Sequence, residues 1–187
     1  MTPRVQIVDT CVLINLLASG EIEDILRTAD CETLICSAVK DESIYLRTDD
    51  PKAPLDPVDL GPLLESGLLS ICHVEGDDET ELFVDCAKTL DDGEAMSLAI
   101  ALSRRCVLVT DERKARRIFL ETANSPGRLT STTELVRGWA EQMTVPIERV
   151  KAALVNIERR ARYQPAKTDV NYQWWVATVL DNESRRS

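Results

Sequence analysis

The sequence has a single histidine, His73, and its six cysteines (11, 31, 36, 72, 86 and 106) form no Cys-x-x-Cys pair. Zinc sites usually draw on closely spaced Cys and His ligands, so the composition argues against one. No Cys–His or Ser–His arrangement is apparent either, and one histidine cannot supply the acid–base pair of a metal-free ribonuclease. No apolar stretch nears the ~18 residues of a membrane span. A strand-like run follows Arg4, with no long apolar segment of the secretory type, which predicts a cytoplasmic protein. Internal repeats and low-complexity tracts are absent from the sequence. Several cysteines sit in apolar runs ("TLIC", "LLSIC", "CVLV"), which reads as reduced core packing rather than a disulfide framework.

What is present describes a globular chain. It has 187 residues, 44% hydrophobic and 29% charged, enough for one domain with a real core. Net charge is −10 and unevenly spread. Residues 1–144 carry 14 Lys+Arg against 27 Asp+Glu, and residues 145–187 carry 8 against 5. An acidic body discourages nonspecific nucleic-acid binding, so any nucleic-acid function must rest on local basic groups.

Short β-rich runs alternate with helical patterns. Residues 4–8, 32–36, 67–74, 106–110 and, more weakly, 127–130 read as strands. Helices are expected over 12–29 with a break near Gly20, and over 37–47, 57–66, 77–89, 92–104 and 112–121. That alternation predicts an α/β fold, a parallel sheet between helices. "DDPKAPLDP" (49–57), with three prolines, reads as a loop. Past Ser131 only helices are expected, over 132–143, 146–162 and about 169–181. The domains predicted are 1–143 and a helical C-terminal extension, 144–187, packed on it.

In open α/β sheets ligands bind beyond the carboxyl ends of the strands. Asp9 follows the first strand and Asp111 the fourth. Glu42 lies one turn into the helix after the second strand, and Glu94 opens the helix that leads into "CVLV". Each acid has another explanation. Asp9 and Asp111 suit helix caps, Asp91 and Glu94 fit a capping box, and Glu42 suits a solvated helix face. Together they crowd one sheet edge, where carboxylates repel unless a cation compensates. An all-oxygen set suits Mg²⁺ or Mn²⁺.

"IVDTCVLINLL", "SAVKDES" and "LDDGEAMSLAIALSRRCVLVTDERKARRIF", in that order and spacing, resemble a PIN domain. The similarity is greatest to the VapC-like toxin branch and covers about residues 4–143. The resemblance implies a metal-dependent endoribonuclease with a parallel sheet between helices. Carried over by motif, its acidic cluster falls on Asp9, Glu42, Glu94 and Asp111. Asp9, Glu94 and Asp111 are the expected metal ligands, and Glu42 completes the site, orients water or helps a second ion. Thr110 matches the hydroxyl residue before the last acid. Asn15 takes a polar position on the first helix, where it orders the site or is simply a satisfied polar group. Cys11 is either a neighbour of Asp9 or a packed thiol.

Metal assistance would answer both needs of phosphodiester hydrolysis, an activated water and a stabilised phosphoryl charge. Arg113 and Arg117, four apart on one helix face, suit phosphate contacts or a solvated face. Arg104 and Arg105 are expected away from the site. "IERRARY" (157–163) offers a second phosphate contact or a polar face, and "NYQWW" (171–175) predicts at least one tryptophan packed on the body. RNA is the expected substrate, an antitoxin protein the expected partner of a toxin, and a homodimer is left open. The alternatives are a stand-alone RNA-processing nuclease and a catalytically silent binding module.

Overall fold

The computed structural model describes residues 4–41, 44–48, 52–123 and 125–180. Five parallel strands make the central sheet: β1 (Arg4–Val8), β2 (Cys31–Cys36), β5 (Ser70–Cys72), β6 (Val107–Val109) and β7 (Leu129–Thr130), in the order β5-β2-β1-β6-β7. β3 (Tyr45–Leu46) and β4 (Asp56–Pro57) form a separate antiparallel pair. The helices are α1 (Thr10–Ser19), α2 (Ile22–Thr28), α3 (Ser37–Asp41), α4 (Gly61–Glu65), α5 (Gly76–Ala87), α6 (Asp92–Ser103), α7 (Arg113–Ala123), α8 (Thr132–Gln142), α9 (Ile147–Asn156) and α10 (Tyr172–Leu180). The expected α/β class, a parallel sheet flanked by helices, is what the chain adopts.

β1 is central because it is apolar on both faces: Ile7 and Val8 are fully buried, Ile7 lies opposite Leu34 of β2 and Leu108 of β6, and Val8 lies opposite Val109 of β6. The break at Gly20 follows from backbone geometry. Gly20 adopts φ 77°, donates its N–H to the Leu17 carbonyl and closes α1 before α2 begins. α1 also carries Val12, Leu13 and Leu16 into the same core as Trp139 and Trp175, so the C-terminal helices share one core with the sheet.

The helix expected over 57–66 shortens to Gly61–Glu65, because Asp56–Pro57 at the end of the expected loop pairs as a strand, and two further expectations need correction. The helix expected over 37–47 ends at Asp41, and Tyr45–Leu46 is a strand. β-Branched and aromatic residues favour the extended state there, and the proline-rich return brings Asp56–Pro57 alongside. The strand expected over 67–74 narrows to Ser70–Cys72, because Leu68 and Leu69 donate back to the Leu63 carbonyl as α4 ends. No helix among the described residues is long and apolar enough to cross a membrane.

Candidate active site

Parallel pairing sets the site. Val8 lies opposite Val109, so the chain leaves β1 at Asp9 and β6 at Thr110 on the same sheet edge. The Asp9 N–H donates to the Val109 carbonyl at 3.0 Å, which fixes where the acid begins. Asp9 also caps α1: its Oδ1 accepts from the Thr10 N–H at 2.7 Å. The other oxygen, Oδ2, accepts from the Thr110 hydroxyl at 2.9 Å and the Cys11 thiol at 3.1 Å. The capping and site roles of Asp9 therefore coexist, one per oxygen. Burial holds the Asp9 carboxyl above the usual carboxylate range, against the lowering effect of these donors.

Asp9, Thr10, Cys11, Ile14, Asp91 and Glu94 enclose a recess of about 220 Å³. Asp91 caps α6 by accepting from the Glu94 N–H at 2.9 Å, which turns the first residues of α6 toward Asp9. Burial, then the carboxylates of Asp91, Asp9 and Glu112, push the Glu94 carboxyl up to about 7. Thr10 has a buried hydroxyl with no partner among the described residues.

Asp111 stands on the same edge but opens into a neighbouring cavity of about 510 Å³. Its Oδ1 accepts from the Thr132 N–H at 3.0 Å, satisfying a free donor in the first turn of α8, whose N-cap is Ser131. Its Oδ2 accepts from the Thr132 hydroxyl at 2.6 Å and from Asn15 Nδ2 at 3.1 Å. Burial raises the Asp111 carboxyl despite those bonds. Cys11 lies between the two acids: both carboxylates push its thiol up, after burial, which is the larger cause.

The structure thus brings Asp9 and Glu94 into one recess, with Thr110 bonded to Asp9, and puts Asp111 and Asn15 beside the next. Glu42 lies outside the described residues. Arg113 and Arg117 are both exposed on α7, while Arg116 between them is tied to the Thr110 and Thr130 carbonyls. Arg104 is engaged by Glu79 at 2.7 Å. Cys11, which sequence leaves undecided, donates to Asp9 as a neighbour. Thr132 was not anticipated; the signal that points to it is the Ser131–Glu134 capping box, which starts a helix beside β6. Tyr163, facing Asp111 from the C-terminal segment, has no signal in the sequence that distinguishes it.

A family model described as a PIN domain matches residues 5–167. The chain belongs to the PIN-domain family. The match runs past residue 143, over α9 and Tyr163. No curated protein and no solved structure matches the chain. PIN domains are nucleases as a class, hydrolases acting on RNA, and typically use divalent metals. In this PIN domain no three His, Cys, Asp or Glu side chains among the described residues are spaced to hold an ion by themselves. The donor chemistry still fits a hard cation. Mg²⁺ keeps most of its water and needs only one or two carboxylates. The recess offers Asp9 and Glu94 together with the unpartnered Thr10 hydroxyl.

Proposed function

We propose that the chain is an endoribonuclease dependent on Mg²⁺ or Mn²⁺, cutting RNA phosphodiester bonds as the cytoplasmic toxin of a toxin–antitoxin pair. The observation that carries this is the pairing of Asp9 and Glu94 in one recess with an unsatisfied hydroxyl, against a crowd of uncompensated negative charge. Bound there, a divalent cation would supply Lewis-acid activation of water and neutralise charge on the phosphate. Asp9 and Glu94 hold the cation. Asp111, with one bond on its Oδ1, contributes from the adjoining cavity, and Glu42 completes the set. Thr110 and Asn15 orient Asp9 and Asp111, as hydrogen-bonded neighbours of metal-binding carboxylates generally do. Arg113 and Arg117 meet substrate phosphates.

The acid-rich body favours a basic partner segment, which supports an antitoxin that covers this edge and associates faster at low salt. The test is cleavage of single-stranded RNA by the purified chain with Mg²⁺, with Mn²⁺ and with chelator, beside an Asp9→Asn control. Cleavage that persists in chelator, or in the control, would sink the cation-dependent mechanism. A co-purifying small protein that suppresses cleavage supports the toxin role. A chain isolated alone, whose expression leaves growth unchanged, favours a stand-alone RNA-processing enzyme.

A further inference from the structure

The larger cavity beside Asp111 has a wall that comes from the C-terminal segment. Residues of the 163–170 stretch face Asp111, Arg113, Arg116, Ser131 and Glu134 across about 510 Å³. That volume is in the range of small-molecule and nucleotide pockets, roughly 300–1,000 Å³. The wall is held firmly. α9 runs into a π-helical turn, Ile157–Ala161, which ends at Arg162 in the left-handed region (φ 56°). Strained turns of this kind are concentrated at functional sites. The turn is tied to the rest of the body by the Arg47 N–H, which donates to the Arg160 carbonyl at 3.0 Å. Tyr163 follows, its ring edge-on to the buried Trp175 at 5.7 Å, and the Trp175 indole N–H donates to Glu158 at 2.8 Å. Asp169 is fixed at the far end by the Thr133 hydroxyl at 3.0 Å and the Asn171 N–H at 2.7 Å.

The lining is chemically mixed. Arg113 stands at the mouth, exposed and without a partner among the described residues. Gln164 and Thr168 offer donors and acceptors, and Glu134 and Asp169 are acceptors. A simple anion would meet the acids, and a simple cation would meet Arg113 and Arg116. A ligand that carries a phosphate at one end and N–H and O–H donors at the other satisfies both. The cavity is also lined by Asp111, two residues beyond β6 and next to the candidate centre.

We propose that this cavity is the subsite for one nucleotide of the RNA substrate beside the cleaved phosphate, with Arg113 on its phosphate and the 163–170 wall enclosing its base and sugar. The inference rests on the nuclease assignment above. Within it, the C-terminal segment builds part of the active site.

The test uses the full chain carrying Asp9→Asn, so that binding is read without cleavage. Affinity for a fluorescein-labelled single-stranded RNA is measured by anisotropy, with and without Ala166→Trp, which fills the cavity. The expected result is about tenfold weaker RNA binding with the melting temperature unchanged, and, for Arg113→Ala, a salt dependence shallower by about one charge. Should Ala166→Trp fail to fold, Gln164→Ala with Thr168→Ala, both exposed positions, replaces it and is expected to weaken binding about threefold. RNA affinity equal to the parent in a folded cavity variant, while the unsubstituted chain still cleaves, overturns the subsite and leaves the nuclease assignment standing. No RNA binding by the parent and no cleavage by the unsubstituted chain overturns both. Loss of binding to a basic peptide but not to RNA makes the cavity a protein dock, which also overturns the proposal.

Discussion

Replacing Glu94 by Gln in the metal-free protein tests the electrostatic description of the recess directly. The Glu94 carboxyl is raised from 4.5 to about 7, by burial first and by Asp91, Asp9 and Glu112 after it. A raised carboxyl means that the folded chain prefers the protonated form. Its stability is therefore greatest below pH 4.5 and falls as pH rises through about 7. At full weight that rise corresponds to roughly 3 kcal/mol. Glu94 is only half-buried, and solvent screening reduces the figure to about 1 kcal/mol. Gln has nearly the same shape and no charge, so the substitution removes the cost. In chelator at pH 8, Glu94→Gln is expected to melt about 2–4 °C higher than the parent, a gain that disappears near pH 4. Differential scanning calorimetry at the two pH values reads both. A variant equal to or less stable than the parent at pH 8, or a gain of the same size at pH 4, refutes charge crowding as the cause. Added Mg²⁺ should then stabilise the parent more than the variant, because only the parent keeps both carboxylates.

Further substitutions separate site from scaffold. Asp111→Asn should lower RNA cleavage by roughly 100-fold, the scale of one lost electrostatic group; its amide oxygen still accepts from the Thr132 N–H, so urea unfolding should change by less than the ~1 kcal/mol of a lost cap. Trp175→Ala should cost about 3–5 kcal/mol in the same unfolding assay, since the indole is fully buried and also loses its bond to Glu158. Arg104→Ala leaves the buried Glu79 carboxylate without its ion-pair partner and should destabilise by about 2 kcal/mol while cleavage per folded molecule stays unchanged; loss of turnover without loss of stability would place Arg104 in the chemistry instead.

Much of the frame is legible from local pattern. β1, β2 and β6 are apolar runs closed by a polar or charged residue, and each lies within a residue or two of its expected span. The carboxylate edge follows from that alternation alone, because parallel strands all end on one side. Two things depend on tertiary adjacency and leave no local trace. Asp111 and Asp9 are a strand apart in the sheet, yet Cys11 lies between them and each opens into its own cavity. Likewise, Thr132 meets Asp111 because β7 pairs with β6, and a two-residue strand such as Leu129–Thr130 is a weak signal in sequence. Tyr45–Leu46 fails for the opposite reason: a short apolar run after a helix reads as its continuation, and only the partner strand decides otherwise.

The order of the strands in the sheet has a consequence for how the protein is made. The central strand is the first to leave the ribosome, but one of its two neighbours, β6, begins at Val107. The bonds that arrange the acids span 96 residues from Asn15 to Asp111, 101 from Asp9 to Thr110 and 117 from Asn15 to Thr132. Closing contacts of that reach is slow compared with local helix formation. A growing chain therefore exposes Asp9 long before its partners exist, and the acids stay apart until α8 has been synthesised. For a nuclease, this means that the acidic edge is not assembled beside the message and ribosome until at least α8 has been made.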